Sequence, residues 1–307
     1  MFIVKYFVVR RKNIKMKNIK AAGHFAAILT IIIWGTTFIS TKILLVDFKP
    51  VEILFFRFVM GFVALFIVCP KRLKTKDYRQ EFTYALAGFC GVCLYYLLEN
   101  IALTFTMASN VGVIISIAPF FTAIMVQIFS KSAEKIQPCF LIGFVVAMAG
   151  IICISFNGAK LELNPMGDLL AVLAAFVWAG YSVLTRKIGD FGYSVILSTR
   201  RTFFYGIVFM IPSLFFGGFQ LDLSRFANIT NLFNVMYLGL GASALCFVTW
   251  NFAVKKIGPV KTSVYIYMVP VITVMTSFLI LHEKLTLLSL IGTVLTMLGL
   301  FLSEIKK

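Results

Sequence analysis

The sequence predicts an all-α polytopic membrane protein, and three observations carry that prediction. Only 13% of the 307 residues are charged, about half the share of a soluble domain, while 60% are hydrophobic, with 33 Phe and 12 Met. Apolar runs long enough to cross a bilayer follow one another from residue 21 to residue 303 with short connections between them. The two halves of the chain also match each other in order. This composition cannot cover a water-soluble surface, which excludes a disulfide-stapled secreted domain and a soluble dehydrogenase or kinase. The net charge of +17 would suit nucleic acid, but the Lys and Arg stand in short runs between apolar stretches. A nucleic-acid binder gathers them on one face of a folded domain, so nucleic acid is not an expected partner.

A membrane-crossing helix needs about 20 mainly apolar residues. That length marks ten segments: 21–45, 51–70, 82–105, 109–129, 138–156, 167–186, 193–216, 231–254, 259–281 and 286–303. The first follows a basic tail, residues 1–20. Asp47-Phe48-Lys49-Pro50 turns it into the second, and the basic stretch 71–79 leads to the third. Asn157-Gly158 and Asn164-Pro165 bracket a linker, 157–166, between the halves 21–156 and 167–303. Gly258-Pro259 opens the ninth segment, and residues 304–307 form a second short tail.

Orientation follows from the basic residues. With the N-terminus cytoplasmic, 21 of the 29 Lys and Arg fall in inner segments and four in outer ones (Lys49, Lys160, Arg225, Lys284). The other four (Lys42, Arg57, Arg200, Arg201) lie in or near the membrane. This asymmetry places both termini in the cytoplasm, which requires an even number of crossings. Residues 1–15 are basic, but their apolar run is too short and interrupted for a signal-peptide core. Met16 reads as a more natural start, with an amphipathic surface anchor as the alternative.

Shifted by about 145 to 150 residues, the chain falls on itself. Trp34-Gly35-Thr36-Thr37-Phe38 lies over Trp178-Ala179-Gly180-Tyr181-Ser182, and Arg57 falls on Arg201. Further on, Asn100 matches Asn251, Pro119 matches Pro270, and Glu134-Lys135 matches Glu283-Lys284. Gly143 and Gly150 match Gly292 and Gly299. Each repeat holds five segments, an odd number, so the second lies upside down relative to the first. Inverted repeats are the architecture of many secondary transporters, whose substrate sits near the bilayer midplane between the halves.

The Trp34-Gly35-Thr36-Thr37-Phe38 opening, Arg57-Phe58, the stretch from Ala108 to Pro119 and the twin Glu134 and Glu283 loops, each followed by a spaced-glycine helix, resemble the EamA family of the drug/metabolite transporter superfamily. The resemblance runs from Met16 to the end. It implies ten helices, a bacterial inner-membrane location, and export or exchange of metabolites, amino acids among them.

Candidate residues follow from depth and pairing. Trp34 lies fourteen residues past Lys20, about 21 Å along a helix, too deep for an interfacial belt. It and Trp178 are candidates for opposite walls of a substrate cavity, with ordinary packing the equal alternative; Thr37 and Tyr181 share their stretches. Trp250 reads as a belt residue. Glu99 is the one acid far from any segment end, and an intramembrane carboxylate is a functional candidate by default. Arg57 lies at a similar depth, with Lys42 a shallower partner. The readings open for Glu99 are a fixed ion pair, a proton-coupling carboxylate and a grip for a substrate amine. Arg200 is expected to snorkel, and Arg201, the match of Arg57, to take a structural or gating role. Pro119 and Pro270 mark helix kinks. Asn100, Asn110, Ser116, Asn251, Tyr265 and Tyr267, with Ser263 nearby, complete the cavity candidates. The glycines Gly143/Gly150 and Gly292/Gly299 fit a contact between halves or a dimer surface.

Cys90 and Cys93 form a Cys-x-x-Cys inside an apolar segment with no second pair and no nearby His, which reads as core rather than metal or redox chemistry. His24 and His282 sit at opposite ends of the membrane. No Gly-x-x-x-x-Gly-Lys-Ser/Thr loop is present, so ATP hydrolysis by this chain is not expected. The expectation is a secondary transporter, not an enzyme, with no cofactor or metal. It moves a small metabolite outward by alternating access, an amino acid first. Uptake of a cofactor or nucleoside-like solute is the alternative, and a membrane enzyme or lipid-handling protein on the same scaffold is the reading from another class. Substrate and lipid bilayer are the expected partners, with proton coupling and a homodimer left open.

Overall fold

The structure, a computed structural model, describes residues 2–106, 108–129, 137–155, 164–281 and 286–304. Their side chains are described from Lys20 onward, except at 108–110, 154–155, 273–274, 277–281, 289 and 304. Among the described residues all regular structure is helical. The helices are α1 (Phe2–Leu44), α2 (Pro50–Val68), α3 (Tyr78–Phe105) and α4, in two pieces (Ala108–Ile115 and Ala118–Phe129). They continue as α5 (Pro138–Ser155), α6 (Pro165–Asp190), α7 (Val195–Phe216) and α8 (Ile229–Ile257). Next comes α9, in pieces Pro259–Val264, Tyr265–Tyr267 and Met268–Leu281, and last α10 (Leu287–Glu304).

Local chemistry sets the starts. Pro50 occupies the first turn of α2, where its missing N–H costs nothing, and Glu52 accepts from Lys49 N at 2.8 Å. Asp77 caps α3 through Gln80 N at 2.8 Å, and Asn164 caps α6 through Gly167 N. Gly258, at φ +90°, makes the turn from α8 into Pro259. The basic segment expected as a separate tail is helical from Phe2 and continuous with α1, because no Pro or Gly interrupts residues 2–22.

Among the described residues, six helices are long and apolar enough to cross a membrane: Lys20–Leu44, Pro50–Val68, Tyr78–Phe105, Val111–Phe129, Pro165–Asp190 and Ile229–Ile257. Pro138–Cys153 and Leu290–Ser303 are shorter apolar helices. The helix α7 is diluted by Arg200 and Arg201, and α9 is broken at Tyr265–Tyr267. Large apolar side chains such as Phe66, Phe82, Phe215 and Phe216 cover the outside, a surface suited to lipid rather than water.

Two irregularities recur in corresponding places. The helix α3 widens to π geometry at Phe89–Leu94, and α8 does so at Tyr237–Leu245. The pieces of α4 part between Ile115 and Ala118 with Pro119 at the second residue of the new piece; α9 parts at Tyr265–Tyr267, just ahead of Pro270. Glycines set the closest approaches. A Cβ on Gly150 would lie 2.6 Å from Gly292 O, and one on Gly143 2.6 Å from Gly299 O, so α5 and α10 touch backbone to backbone. Of the two readings open for this glycine stripe, the structure shows the contact between halves. Glu134, Lys135, His282, Glu283, Lys284 and the linker residues 157–163 lie outside the described residues, as does the side chain of Asn110.

Candidate functional site

An aromatic cluster fills the middle of the bundle. Trp34 of α1 meets Trp178 of α6 edge-on at 5.2 Å between ring centroids and Trp250 of α8 at 5.0 Å. Trp178 meets Tyr95 of α3 at 4.8 Å and Tyr181 at 5.0 Å, and Phe247 touches Trp34, Trp178 and Tyr96. Trp34 and Trp178, read as opposite walls of a cavity or as ordinary packing, are in direct ring contact. Trp250 is a correction: it is fully buried at the heart of the cluster and not at an interface. Position within the segment misled there, because the last turn of α8 continues beyond the apolar core to Lys255 and Lys256. Trp34 donates through Nε1 to Ala242 O at 3.0 Å, a carbonyl in the π turn of α8. The indole N–H groups of Trp178 and Trp250 are buried with no hydrogen-bond partner.

Charge enters the cluster at Arg57 and Glu99. The Arg57 side chain is buried, donates through Nε to Ser243 Oγ at 3.0 Å, and lies with its guanidinium carbon 4.3 Å from the Tyr96 ring centroid. No carboxylate stands within salt-bridge distance of it among the described residues, so the expected Arg57–Glu99 ion pair is not formed. The guanidinium spends its face on Tyr96, on the same helix one turn before Glu99. Glu99 is 4% exposed, and its Oε2 has no hydrogen-bond partner. Lys42 does not reach it either: its Nζ donates to Leu103 O at 2.8 Å and Thr106 O at 3.3 Å, capping the end of α3.

A polar chain leads away from the cluster. Tyr181 OH donates to Asn251 Oδ1 at 2.8 Å, and Asn251 Nδ2 donates to Thr199 Oγ1 at 3.0 Å. Asn251 also lines a cavity of about 20 Å³, room for one water, with Thr185, Tyr193, Ser198 and Lys255. The remaining candidates serve other contacts. Asn100 donates to Pro50 O at 3.2 Å, Thr37 and Ser116 bond back to Trp34 O and Gly112 O, and Tyr265 OH meets His24 Nδ1 at 2.7 Å. Tyr267 is wholly buried in the 3-10 turn of α9.

Ion pairs stand at both ends of the bundle. At the end holding the α1–α2 turn, Arg225 grips Glu52 with two bonds, of 2.8 and 3.3 Å. It also donates to Asp47 O and Gln220 O and covers the Phe48 ring at 4.4 Å. At the end holding the α2–α3 connection, Arg201 takes Glu81 in a two-pronged grip of 3.1 and 2.5 Å, joined by Tyr205 OH at 2.6 Å and Thr75 Oγ1 at 2.8 Å. Arg200 does not snorkel; it is buried and donates to Cys69 O and Lys71 O past the end of α2. Sequence reasoning missed Glu52, Glu81 and Arg225. Their signal was present: in a chain with 12 acids, Glu52 and Glu81, like Asp168, stand in the first turns of apolar helices.

An apolar-clad helical bundle around a buried centre of rings and lone charges is the arrangement of a membrane transporter. The model of the EamA-like transporter family matches residues 21–156 and 165–305, two repeats, and the chain belongs to that family. It is 29% identical over 289 residues to an uncharacterized transporter of Archaeoglobus fulgidus, covering 92% of this chain and 98% of the relative. A probable terminal-alkyne amino-acid exporter of Streptantibioticus cattleyicolor is 27% identical over 94% of each chain. A probable amino-acid metabolite efflux pump of Escherichia coli K12 is 25% identical, covering 90% and 93%. A solved crystal structure superposes with a TM-score of 0.72 at 16% identity over 92% of this chain and 96% of the other, which shows the shared fold.

Proposed function

We propose that the protein is a secondary exporter of a small amphipathic metabolite, an amino acid or a close relative, in the bacterial cytoplasmic membrane. In this reading α1 to α10 all cross the bilayer, both termini are cytoplasmic, and the second repeat is inverted relative to the first. The end with the α1–α2 turn is then the outer end, and the end with the α2–α3 connection the inner. The observation that carries the proposal is Glu99: a carboxylate 4% exposed, with Oε2 unpartnered, beside Tyr95 and among stacked rings. Burying an unpartnered polar group is costly, and in a membrane such groups are retained where a ligand or proton completes them.

Arg57 supplies the opposite charge. Its Nε is fixed to Ser243 and its face to Tyr96, which leaves the outer guanidinium N–H groups for a carboxylate. The rings of Trp34, Trp178 and Trp250 suit the apolar part of the same solute. The probable terminal-alkyne amino-acid exporter and the probable amino-acid metabolite efflux pump among its relatives support this choice of substrate. The test is flux from proteoliposomes preloaded with single amino acids, with and without an imposed pH gradient. Saturable, gradient-accelerated release that Glu99→Gln abolishes supports the reading. Release by Glu99→Gln at the parent rate and with the parent pH dependence would remove Glu99 from the mechanism.

A further inference from the structure

We infer that Glu52–Arg225 and Glu81–Arg201 are two corresponding ionic latches, one sealing each end of the substrate path, which open in alternation. The inference rests on the transport reading above. Four features carry it. First, both latches join a carboxylate of the first repeat to an arginine of the second, so each spans the seam between halves. Second, the places they join correspond, with Arg225 standing in the 3-10 turn Leu223–Ala227 that leads into α8. The repeat maps α2 onto α7 and α3 onto α8, so the α2–α8 crossing at the outer end becomes the α7–α3 crossing at the inner end. Third, each latch stands at the mouth of a glycine-paired crossing. A Cβ on Gly61 of α2 would lie 3.2 Å from Gly239 O of α8, and one on Gly88 of α3 would lie 2.6 Å from Gly206 N of α7. Gly88 and Gly239 are themselves matched by the shift of 151 residues that relates Asn100 to Asn251.

The fourth feature is chemical. Both grips are two-pronged, and each keeps its guanidinium partly exposed: Arg201 is 30% exposed over a Glu81 that is 24% exposed, and Arg225 is 17% exposed over a Glu52 carboxylate that is 1% exposed. The exposed Glu81–Arg201 pair adds little to stability, whereas the buried Glu52 carboxylate depends on Arg225 for its partner; both grips are directional and can be remade when the mouth closes. The glycine crossings already hold the helices together deeper in the membrane. The latches therefore bind the mouths, where the halves must part for a solute to pass. The α5–α10 contact also spans the seam but has no charge pair across its glycines among the described residues, as suits a surface that stays closed throughout.

The test reads conformation without needing a substrate. Single reporter cysteines replace Ser198, beside the inner cavity, or Leu54, the corresponding place in α2, in the full chain with its six native cysteines replaced. Labelling by a membrane-impermeant maleimide is followed from either side of sealed vesicles. Arg201→Gln should raise inner labelling at position 198 roughly two- to fivefold, the range expected of an ion pair this exposed, and lower outer labelling at 54. Arg225→Gln should do the reverse. The swapped pair Glu81→Arg with Arg201→Glu should return both rates towards the parent. Should Arg201→Gln fail to insert, Glu81→Gln reads the same latch from its other partner. Unchanged labelling, or both reporters rising together, overturns the latches. Amino-acid flux without a labelling shift sinks the latches alone, whereas alternating labelling with no flux of any amino acid sinks the substrate reading and leaves them standing.

Discussion

Arg57 and Arg201 are the same position of two repeats with different fates, and the difference lies in one neighbour. Arg201 finds Glu81 at the start of α3. Shifted by 151 residues, Glu81 becomes Leu232, so Arg57 has no counterpart acid and turns to Ser243 and Tyr96 instead. Glu99 and Trp250 form a second unequal pair: one half contributes a carboxylate to the centre and the other an indole. The three tryptophans also differ in duty. Trp34 fixes a π-turn carbonyl, whereas Trp178 has an indole N–H with no partner among the described residues. Trp34→Phe should therefore lower the melting temperature in detergent, because it removes a buried hydrogen bond of about 1 kcal/mol. Trp178→Phe should leave melting nearly unchanged and raise the KM for flux. Equal effects of the two on melting would remove the distinction. The sequence made Trp34, Trp178, Arg57 and Glu99 visible through depth and repetition. It could not place Trp250, nor show that Arg57 stacks on Tyr96 and makes no ion pair with Glu99, since both depend on helix rotation and not on spacing.

At the scale of single helices, the glycines and the breaks carry different loads. In α5 and α10 the residues Gly143, Gly150, Gly292 and Gly299 let two backbones touch, and any side chain there overpacks the crossing. Gly150→Ala should cost about 1–3 kcal/mol, read as a fall in melting temperature of about 2–10 °C. Gly180→Ala is the matched control: its Cβ would meet only Met125 Sδ at 3.8 Å, so melting should hold or rise slightly. A fall of the same size in both would show that helix propensity, not the crossing, is being measured. The seven-residue spacing of these glycines was legible as one helix face, but its partner was not, since lipid, a second copy and the other half are alike apolar. The π turns at Phe89–Leu94 and Tyr237–Leu245 had no legible signal, because neither Pro nor a charge marks a π turn. Pro119 and Pro270 did mark the broken helices.

Across the whole molecule, apolar length and charge placement act on different things. Six described helices meet the length and hydropathy needed to cross a bilayer, and α7 and α9 fall short for identifiable reasons, a pair of arginines and a broken middle. Neither defect prevents crossing inside a bundle. Arg200 is anchored on Cys69 O and Lys71 O and Arg201 on Glu81, so both charges of α7 are satisfied by protein at one end of the helix. A helix too polar to insert alone can therefore be held by its neighbours. Orientation then follows from the flanking basic residues, with Lys71, Arg72, Lys74, Lys76 and Arg79 concentrated in the α2–α3 connection. A reporter active only in the cytoplasm, fused after Lys76, should be active, and the same reporter fused after Asn228 should be silent. Replacing the five basic residues of the connection by Gln should weaken that preference without unfolding α6 or α8, which insert on their own hydropathy. Activity after Asn228 in the parent would reverse the assignment of both ends and, with it, the direction in which Glu81–Arg201 faces the cell.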